Sequence, residues 1–279
     1  MSTNKIAIIG LGLIGGSFAL SIQKNTEDTV SGLDHKPTVL ADALSCGAID
    51  EGFATPDCIK NADLILLCLY PKQSINFVKN NLHLLKKGCV VMDVCGVKKL
   101  ICDDLNPLAK ENGFHFIGGH PMAGKETQGF SSASSTLFKG ASMILTPPTD
   151  FPTEILQQLQ TFLTQLGFAK IVLTTPEHHD TMIAFTSQLP HVLASSYVKS
   201  PQSLTHQGYS AGSFKDVSRV ASLNPTMWSE LFLANANPLC TEIDTLIEHL
   251  TEFRNAINSN DKQTLEQLLE EGNQIKNNL

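Results

Sequence analysis

Short apolar runs alternate with longer amphipathic segments along the first 173 residues of the chain. Runs rich in Ile, Val and Leu that are too short for helices are typical of strands buried on both faces of a parallel sheet. We predict strands at 6–9, 29–33, 62–70, 89–93, 115–117, 142–145 and 170–173, with helices from 13 onward and at 38–44, 73–85, 98–108 and 153–166. This alternation predicts a parallel sheet with crossover helices.

Beyond residue 173 the apolar pattern has the period of helices only. A helix is predicted to begin at Pro176 and to kink at Pro190, beside His191, because proline removes a backbone hydrogen bond. Further helices are predicted at 228–253, opened by Pro225, and at 261–277. Their apolar faces exceed what one domain of about 100 residues usually buries, so we predict a homodimer built on these C-terminal helices.

A glycine motif directly follows the first predicted strand. Gly10, Gly12 and Gly15 have the spacing Gly-x-Gly-x-x-Gly between a strand and a helix. Glycines in this context allow a tight turn, close approach of the backbone to a pyrophosphate, and close packing of helix on strand. The first helical turn, with Leu13 and Ile14, offers its N–H groups to the phosphates. The motif therefore predicts a dinucleotide cofactor.

An acidic residue about 20 positions after the glycines is the second mark of a dinucleotide site. Asp34 stands at the end of the second predicted strand. A carboxylate there accepts hydrogen bonds from both ribose hydroxyls and repels a 2′-phosphate, which favours NAD over NADP. His35 and Lys36 follow directly and would offset part of that repulsion, so the strictness of the preference stays open.

Composition and charge narrow the class of protein. With 279 residues, 42% of them hydrophobic, the chain can form one large or two ordinary globular domains. A net charge of −7 argues against nucleic acid or an anionic membrane as the main partner, and no apolar run approaches the length of a membrane span. No signal peptide is recognised before the first strand. Cys46, Cys68 and Cys89 lie in or beside apolar segments, as expected of buried, reduced thiols in a cytoplasmic protein.

Together these patterns predict an α/β N-terminal Rossmann-type dinucleotide-binding domain over residues 1–173 and an all-α C-terminal domain, for dimerisation and substrate binding, over residues 174–279. Such a layout is typical of a dehydrogenase whose substrate lies in the crevice between the two parts. Ligands bind beyond the carboxyl ends of the strands. The loops expected there are 68–71, 94–97 and 118–129, so Leu69 and Tyr70 are candidates for contact with the cofactor.

His120 is the candidate catalytic base, because a neutral imidazole accepts a proton near pH 7 and this one comes just after a predicted strand. The alternative is a loop histidine bonded to local backbone. Arg219 could hold a carboxylate with two parallel N–H bonds. From the residues alone, His191 fits a core histidine, and Lys215 and Asp216 fit, with Arg219, a solvated helix face.

A metal site is not predicted. His178, His179 and Asp180 are adjacent in the sequence, but neighbouring residues of a helix point in different directions. The chain also has no pair of histidines four positions apart, the spacing that places two imidazoles on one helix face.

Several short motifs resemble those of the prephenate/arogenate dehydrogenase family. They are Gly10-Leu-Gly-Leu-Ile-Gly-Gly16-Ser17, Gly119-His-Pro-Met-Ala-Gly124, Glu126, Ser187-Gln-Leu-Pro-His191, Phe214-Lys-Asp-Val-Ser-Arg219 and Met227-Trp228. The matches recur in family order from residue 6 to about residue 235. As a set they are specific, whereas the glycine motif alone fits many dehydrogenases.

The resemblance implies NAD-dependent oxidative decarboxylation of prephenate to 4-hydroxyphenylpyruvate in tyrosine biosynthesis, or of arogenate to tyrosine. By the same resemblance, His120 accepts the proton of the ring hydroxyl and Arg219 binds a carboxylate of the small anionic substrate. His191 then helps to position the substrate, and Lys215 and Asp216 form a charged pair at the mouth of the pocket. No metal is implied.

One departure from the family pattern concerns Gly96, where many relatives carry a serine whose hydroxyl helps to orient the substrate and the nicotinamide. Gly96 cannot do so by a side chain, and a water or Cys95 is the candidate substitute. Gln188 also replaces a common histidine. These changes put the fine positioning of the substrate in doubt but leave the base and the carboxylate clamp intact.

Two other readings stay open. A 3-hydroxyacid dehydrogenase-like oxidoreductase or an imine reductase would share the two-part layout without requiring both His120 and Arg219. A non-enzymatic NAD-binding protein would explain the glycines but leave His120, His191 and Arg219 without a task. The choice between prephenate and arogenate, and inhibition by tyrosine, also stay open.

Overall fold

Eight strands form one sheet in the computed structural model, which describes residues 4–279. The strands are β1 (Lys5–Ile9), β2 (Thr29–Leu33), β3 (Glu51–Phe53), β4 (Leu64–Leu67), β5 (Val90–Asp93), β6 (His115–Pro121), β7 (Ser142–Thr146) and β8 (Lys170–Leu173). Their order in the sheet is β3-β2-β1-β4-β5-β6-β7-β8, and all neighbours are parallel except β6 and β7. The predicted Rossmann-type sheet is confirmed, with β3 as a short edge strand that the sequence pattern did not predict.

Helices connect most of the strands and predominate after β8. They are α1 (Leu13–Asn25), α2 (Pro37–Ser45), α3 (Pro71–Asn81), α4 (Lys99–Asn112), α5 (Thr153–Gln165), α6 (Pro176–Ile183), α7 (Leu189–Tyr197), α8 (Gly212–Ser218), α9 (Pro225–Ala234), α10 (Ala236–Asn258) and α11 (Lys262–Asn277). After β8 the described residues form helices and turns only, which confirms the predicted helical second part.

Both faces of the sheet are buried, and successive residues of a strand supply opposite faces. On β1, Ile6 and Ile8 pack into one apolar cluster with Phe18 of α1, while Ala7 and Ile9 pack into the other. This two-residue period follows from the alternation of side chains along a strand. A strand covered on both sides must be apolar throughout, which is why the runs in the sequence are continuous rather than alternating.

The chain folds into two compact units, each built from two segments. The first unit contains the chain up to Ile183 together with Ser222–Ala234, and so holds the sheet, α1 to α6, and α9. The second contains Ala184–Ala221 and Asn235–Leu279, with α7, α8, α10 and α11. The predicted division into segments 1–173 and 174–279 stays a prediction about functional domains.

Two details of the predicted helices are wrong. The helix predicted over 228–253 is two helices, because Asn235 interrupts it and donates its buried side-chain amide to Gln188 Oε1 at 2.8 Å. The predicted α-helix is not continuous up to Pro190, because a π-helical segment, Ala184–Gln188, interrupts it and Pro190 stands in the first turn of α7. The kink at Pro190 stays a prediction.

The end of α4 also differs from the prediction. The helix continues through Pro107 to Asn112, four residues beyond the predicted end, and stops at Gly113 in the left-handed conformation with φ 74°. A glycine at this position is the common way to end a helix, because it adopts positive φ without a side-chain clash.

All seven cysteines are free thiols. Cys89 is buried as expected, and desolvation raises its pKa to about 11. Cys68 is only partly covered, and the expectation fails for Cys46, which is exposed at the end of α2. Among residues 4–279, no helix combines the length and the apolar character needed to cross a lipid bilayer.

An ion pair lies in the interior of the first unit, between Asp93 at the end of β5 and Lys98 just before α4. Both side chains are completely buried, and Asp93 Oδ2 pairs with Lys98 Nζ while it also accepts a hydrogen bond from Cys95 N at 2.8 Å. Asp93 Oδ1 accepts from Gly119 N at 3.3 Å. Each oxygen of this buried carboxylate therefore has a partner, as burial of a charge requires.

We expect Lys98→Met to destabilise the protein by about 3–5 kcal/mol, because it leaves the buried Asp93 charge without its counter-ion. Lys79→Met is the matched control, since Lys79 pairs with Asp104 at the surface and such pairs contribute less than about 1 kcal/mol. Urea unfolding of both variants measures the two losses. Equal losses would show that the buried pair contributes no more than the surface pair.

Candidate active site

The turn between β1 and α1 has the geometry of a phosphate cradle. A Cβ added to Gly15 would lie 1.9 Å from the carbonyl oxygen of Gly10, so this position admits only glycine. A Cβ added to Gly12 would meet nothing within 4 Å. Gly12 is the N-cap of α1, and Leu13 and Ile14 form its first turn. Open space in front of free helical N–H groups is what a pyrophosphate requires.

Asp34 connects this turn to the end of β2. Its Oδ2 accepts a hydrogen bond from Leu11 N at 3.0 Å, and its Oδ1 accepts one from Lys36 N at 2.9 Å. His35 Nδ1 lies 3.4 Å from the same Oδ1, on a side chain that is 83% exposed. The carboxylate is thus held at the edge of the glycine turn, where the ribose of a dinucleotide would lie. Together the turn and Asp34 fit NAD.

The loop after β4 is the third part of the cradle, beside the glycine turn and Asp34. A Cβ on Gly10, whose φ is +93°, would lie 2.7 Å from Cys68 O and 2.9 Å from Leu69 Cδ2, so this loop packs directly on the glycine turn. Tyr70, the N-cap of α3, is half-buried. The carboxylate of Glu230 in α9 accepts from Lys72 N at 2.9 Å and so satisfies one N–H at the start of α3.

His120 lies inside a strand, which corrects its predicted place in a loop. Strand β6 extends to Pro121, and His120 pairs with Ile144 of the antiparallel neighbour β7. The strand passes through Gly118 and Gly119, where neighbouring groups leave no room for a side chain. A Cβ would lie 2.2 Å from Thr146 Oγ1 at Gly118 and 2.7 Å from Asp93 O at Gly119. A regular strand fixes the direction of the His120 ring more firmly than a loop would.

Two buried side chains of α6 stand behind His120. His120 Nδ1 lies 2.9 Å from His179 Nε2, and His179 Nδ1 lies 2.7 Å from Asp180 Oδ1. His179 and Asp180 are each only 2% exposed. Asp180 in turn accepts hydrogen bonds from Lys98 N at 2.7 Å and Lys99 N at 2.9 Å, at the start of α4. The imidazole of His120 is therefore one end of a continuous hydrogen-bonded row.

The electrostatics of this row favour a neutral imidazole. Desolvation holds the pKa of His120 well below its usual 6.5, and the neighbouring His179 and the buried Lys98 ammonium lower it further. Desolvation also lowers the pKa of His179, against the opposing effect of Asp180. A neutral His120 can accept a proton at physiological pH.

Gly96 lies next to Nε2 of His120. A Cβ built on Gly96 would be 4.0 Å from His120 Nε2 and 3.6 Å from the δ-carbons of Leu231 in α9. These are ordinary van der Waals distances, so a small side chain such as serine would fit. The structure thus brings together the glycine turn, Asp34, Leu69, Tyr70, Gly96 and His120 in the first unit, at the carboxyl edge of its strands.

The other predicted site residues belong to the second unit. His191 in α7 is half-buried, and its Nδ1 donates to Val220 O at 2.9 Å, which places it beside Arg219 in the chain segment that follows α8. Arg219 and Lys215 are both exposed, four residues apart, and Asp216 is exposed next to Lys215. The second unit therefore brings His191 close to one end of this charged segment.

The position of His179 and Asp180 behind His120 was not predicted from the sequence, where the only function considered for them was metal binding. Among residues 4–279 there is no cluster suited to hold a metal ion. Apolar periodicity marks which face of α6 is buried, but it does not show that a polar pair on that face meets a histidine 59 positions earlier in the chain. The signal available in the sequence was the neighbouring pair His179 and Asp180 within the predicted helix that begins at Pro176.

Comparison with known proteins gives a consistent family. Residues 18–173 match the family model described as prephenate dehydrogenase, nucleotide-binding domain, and residues 175–271 match the one described as prephenate dehydrogenase, dimerization domain. The chain is 33% identical to a cyclohexadienyl dehydrogenase of Zymomonas mobilis over 266 residues, which cover 92% of this chain and 89% of that protein.

Two solved structures are similar over almost the whole chain. Prephenate dehydrogenase from A. aeolicus, in complex with hydroxyphenyl propionate and NAD+, has a TM-score of 0.87 and 28% identity, with 99% of this chain and 98% of that chain covered. Arogenate dehydrogenase from Synechocystis has a TM-score of 0.82 and 28% identity, with 98% and 99% covered.

We expect Gly12→Ala and Gly15→Ala to separate cofactor binding from folding. The alanine methyl at position 12 fills only open space in the free protein, so the thermal midpoint should stay within about 2 °C. NADH affinity should fall at least about tenfold, because the methyl occupies space that the phosphates need. At position 15 the methyl collides with Gly10 O, so the folded state itself should be lost or strongly destabilised. Thermal unfolding and NADH fluorescence titration measure both effects. Undiminished NADH affinity in Gly12→Ala would place the phosphates elsewhere.

We expect kcat/KM to show no decline from protonation of His120 at pH 6.5 or above. Because the lowered pKa of His120 keeps the ring neutral, activity should hold as the pH falls to 6.5 and decline only under more acidic conditions. NMR titration of His120, with the urea-unfolded chain as reference, tests the assignment directly. An acid limb at or above pH 6.5 would contradict it.

Proposed function

The chain belongs to the prephenate dehydrogenase family, and we propose that it catalyses the NAD-dependent oxidative decarboxylation of prephenate to 4-hydroxyphenylpyruvate, a step of tyrosine biosynthesis. It is an NAD-dependent dehydrogenase, as its family membership and its nucleotide-binding segment show. The observation that carries the proposed reaction is the neutral, anchored His120 on β6, with Nε2 next to Gly96 at the carboxyl edge of the sheet.

The proposed chemistry needs a hydride acceptor and a proton acceptor. When bound in the cradle, NAD+ would supply the hydride acceptor for the ring carbon that carries the hydroxyl. His120 Nε2 takes the proton of that hydroxyl, so that its oxygen becomes a carbonyl as the hydride leaves. When the ring loses CO2, the electron pair of the broken C–C bond makes the ring aromatic and the carbonyl oxygen needs one proton. The proton held on His120 meets that need, so the base is restored within one turnover.

The cradle residues have a proposed division of labour. Gly10, Gly12 and Gly15, with the N–H groups of Leu13 and Ile14, hold the pyrophosphate, and Asp34 accepts the ribose hydroxyls. Leu69 and Tyr70 flank the bound cofactor from the loop after β4. The close packing of that loop on Gly10 supports this assignment, because it leaves the loop little freedom to move away from the cradle.

Substrate recognition is proposed for residues of the helical segment. Arg219 supplies a planar guanidinium that matches a carboxylate with two parallel N–H bonds, and prephenate carries two carboxylates. His191 and Lys215 assist in placing the anionic substrate. What supports these roles is the exposure of both cations and the hydrogen bond from His191 to the residue after Arg219. Position 96, whose surroundings leave room for a small side chain, offers no hydroxyl to the substrate because it is a glycine.

Arogenate is the second candidate substrate. It shares the ring and the ring hydroxyl with prephenate and differs in an amino group in place of the side-chain keto group. The similarity in fold to the Synechocystis arogenate dehydrogenase, with 28% identity, favours testing it. The base and the hydride path would be the same for both substrates.

The assembly that we propose is a cytoplasmic homodimer. The segment from 175 to 271 matches a dimerization domain, and α10 and α11 expose large apolar side chains. These are Ile247, Leu250, Ile257, Leu269 and Ile275, each between 54% and 62% exposed in the single chain. Burial of such side chains in a second copy would remove them from water. Free thiols at all seven cysteines support a reducing compartment.

We expect His120→Asn to lower kcat by about 100-fold or more, with KM changed by less than about threefold, because a proton acceptor used in the transition state is lost while substrate contacts remain. His115→Asn is the matched control, since His115 lies at the other end of the same strand. Steady-state NADH formation from prephenate and from arogenate, measured in parallel, gives both constants. If His120→Asn keeps most of its kcat, His120 is not the base.

We expect Arg219→Ala to raise KM by about 10- to 100-fold with a smaller change in kcat, since a charge-assisted pair of hydrogen bonds to the substrate carboxylate is removed. Arg219→Lys keeps the charge without the planar fork and should give an intermediate KM. An unchanged KM in Arg219→Ala would mean that another residue binds the carboxylate.

A further inference from the structure

The row of side chains behind His120 fixes more than its position. We propose that His179 is a positioning residue that holds His120 in the tautomer with its proton on Nδ1 and its lone pair on Nε2. The proposal rests on the proposed function of His120 as the proton acceptor. It assigns a role to a buried histidine that the proposed reaction does not itself use.

The first step concerns Asp180, which can only accept hydrogen bonds when ionised. Two backbone N–H groups at the start of α4 point at it, from Lys98 to Oδ1 at 2.7 Å and from Lys99 to Oδ2 at 2.9 Å. N–H groups at a helix start favour a carboxylate in its charged form. The 2.7 Å contact between Asp180 Oδ1 and His179 Nδ1 therefore requires that the imidazole donates.

The second step transfers this constraint to His120. Since burial keeps His179 neutral, the proton on its Nδ1 leaves its Nε2 as an acceptor. His120 Nδ1, 2.9 Å away, must then donate to it. A neutral His120 with its proton on Nδ1 carries its lone pair on Nε2, the atom next to Gly96.

The consequence for the reaction is a choice between two tautomers of one ring. With the proton on Nε2, the ring would present an N–H to the substrate hydroxyl and could not accept its proton. With the proton on Nδ1, Nε2 accepts directly, and His120 becomes an imidazolium whose charge faces His179 and, beyond it, the Asp180 carboxylate. No proton moves along the row: Nδ1–H stays in place, and only Nε2 gains and returns a proton.

The tautomer is measured directly by long-range ¹H–¹⁵N NMR of the full chain with ¹⁵N-labelled histidine, above pH 7. Comparison with His120→Asn identifies the His120 signals. We expect Nδ1 to have the shift of a protonated nitrogen and Nε2 that of an unprotonated one. The opposite pattern in the wild-type protein overturns the proposal, and this reading needs neither a variant of His179 nor substrate.

Two variants of His179 test the consequence for turnover. His179→Leu removes the acceptor and should lower kcat by about 100-fold, with KM and NADH affinity within about threefold of wild type. His179→Gln places an amide oxygen at the position of Nε2, three bonds from Cβ, and should recover at least about tenfold of the lost kcat. Circular dichroism and thermal unfolding establish that both variants fold.

Two kinetic outcomes would overturn the proposal: a folded His179→Leu with kcat within about threefold of wild type, or a folded His179→Gln as slow as His179→Leu. Failure of the proposed function has a different signature. In that case the wild-type protein forms no NADH from prephenate or arogenate, while the NMR spectrum still reports the tautomer of His120.

Discussion

The arrangement of the site depends on one buried carboxylate. Asp93 ends β5, and both of its oxygens bind neighbouring elements: Cys95 N and Lys98 Nζ on one oxygen, Gly119 N on the other. These contacts hold the loop that contains Gly96, the start of α4, and β6 beside His120. Because an ionised side chain is tolerated in an apolar interior only when its partners are in place, a shift of any of these elements would leave charge uncompensated.

Much of this architecture has a local cause and is therefore readable in the sequence. The glycine turn is one example, since the need for glycine at position 15 arises from Gly10, five residues away. The buried strands are another, because burial on both faces leaves a continuous apolar run regardless of what packs there. Asp34 belongs to the same class, as its position at the end of a strand follows from the strand itself. The proposed proton acceptor, His120, was also singled out by the short motifs around it.

What the sequence did not reveal depends on contacts between distant residues. Strand β3 has only Glu51, Gly52 and Phe53, too few for any period, and its pairing with β2 defines it as a strand. The place of His120 in β6 depends on close packing of Gly118 and Gly119 against other strands, so the two glycines resembled a loop. The pairing of His120 with His179 is set by the packing of α6, which no local pattern encodes. The hydrogen bonds within the site could not be predicted from the sequence for the same reason.

Helix α9 has a consequence for how the protein is made. It comes late in the sequence, yet Glu230 accepts a hydrogen bond from the start of α3 and Leu231 borders Gly96, so the first unit, which holds the glycine turn, is discontinuous in the chain. During synthesis the ribosome releases the sheet well before it releases residues 222–234, and the unit stays incomplete until that late segment arrives. The same discontinuity limits recombination: no single crossover point in the gene could exchange this unit intact for that of another dehydrogenase.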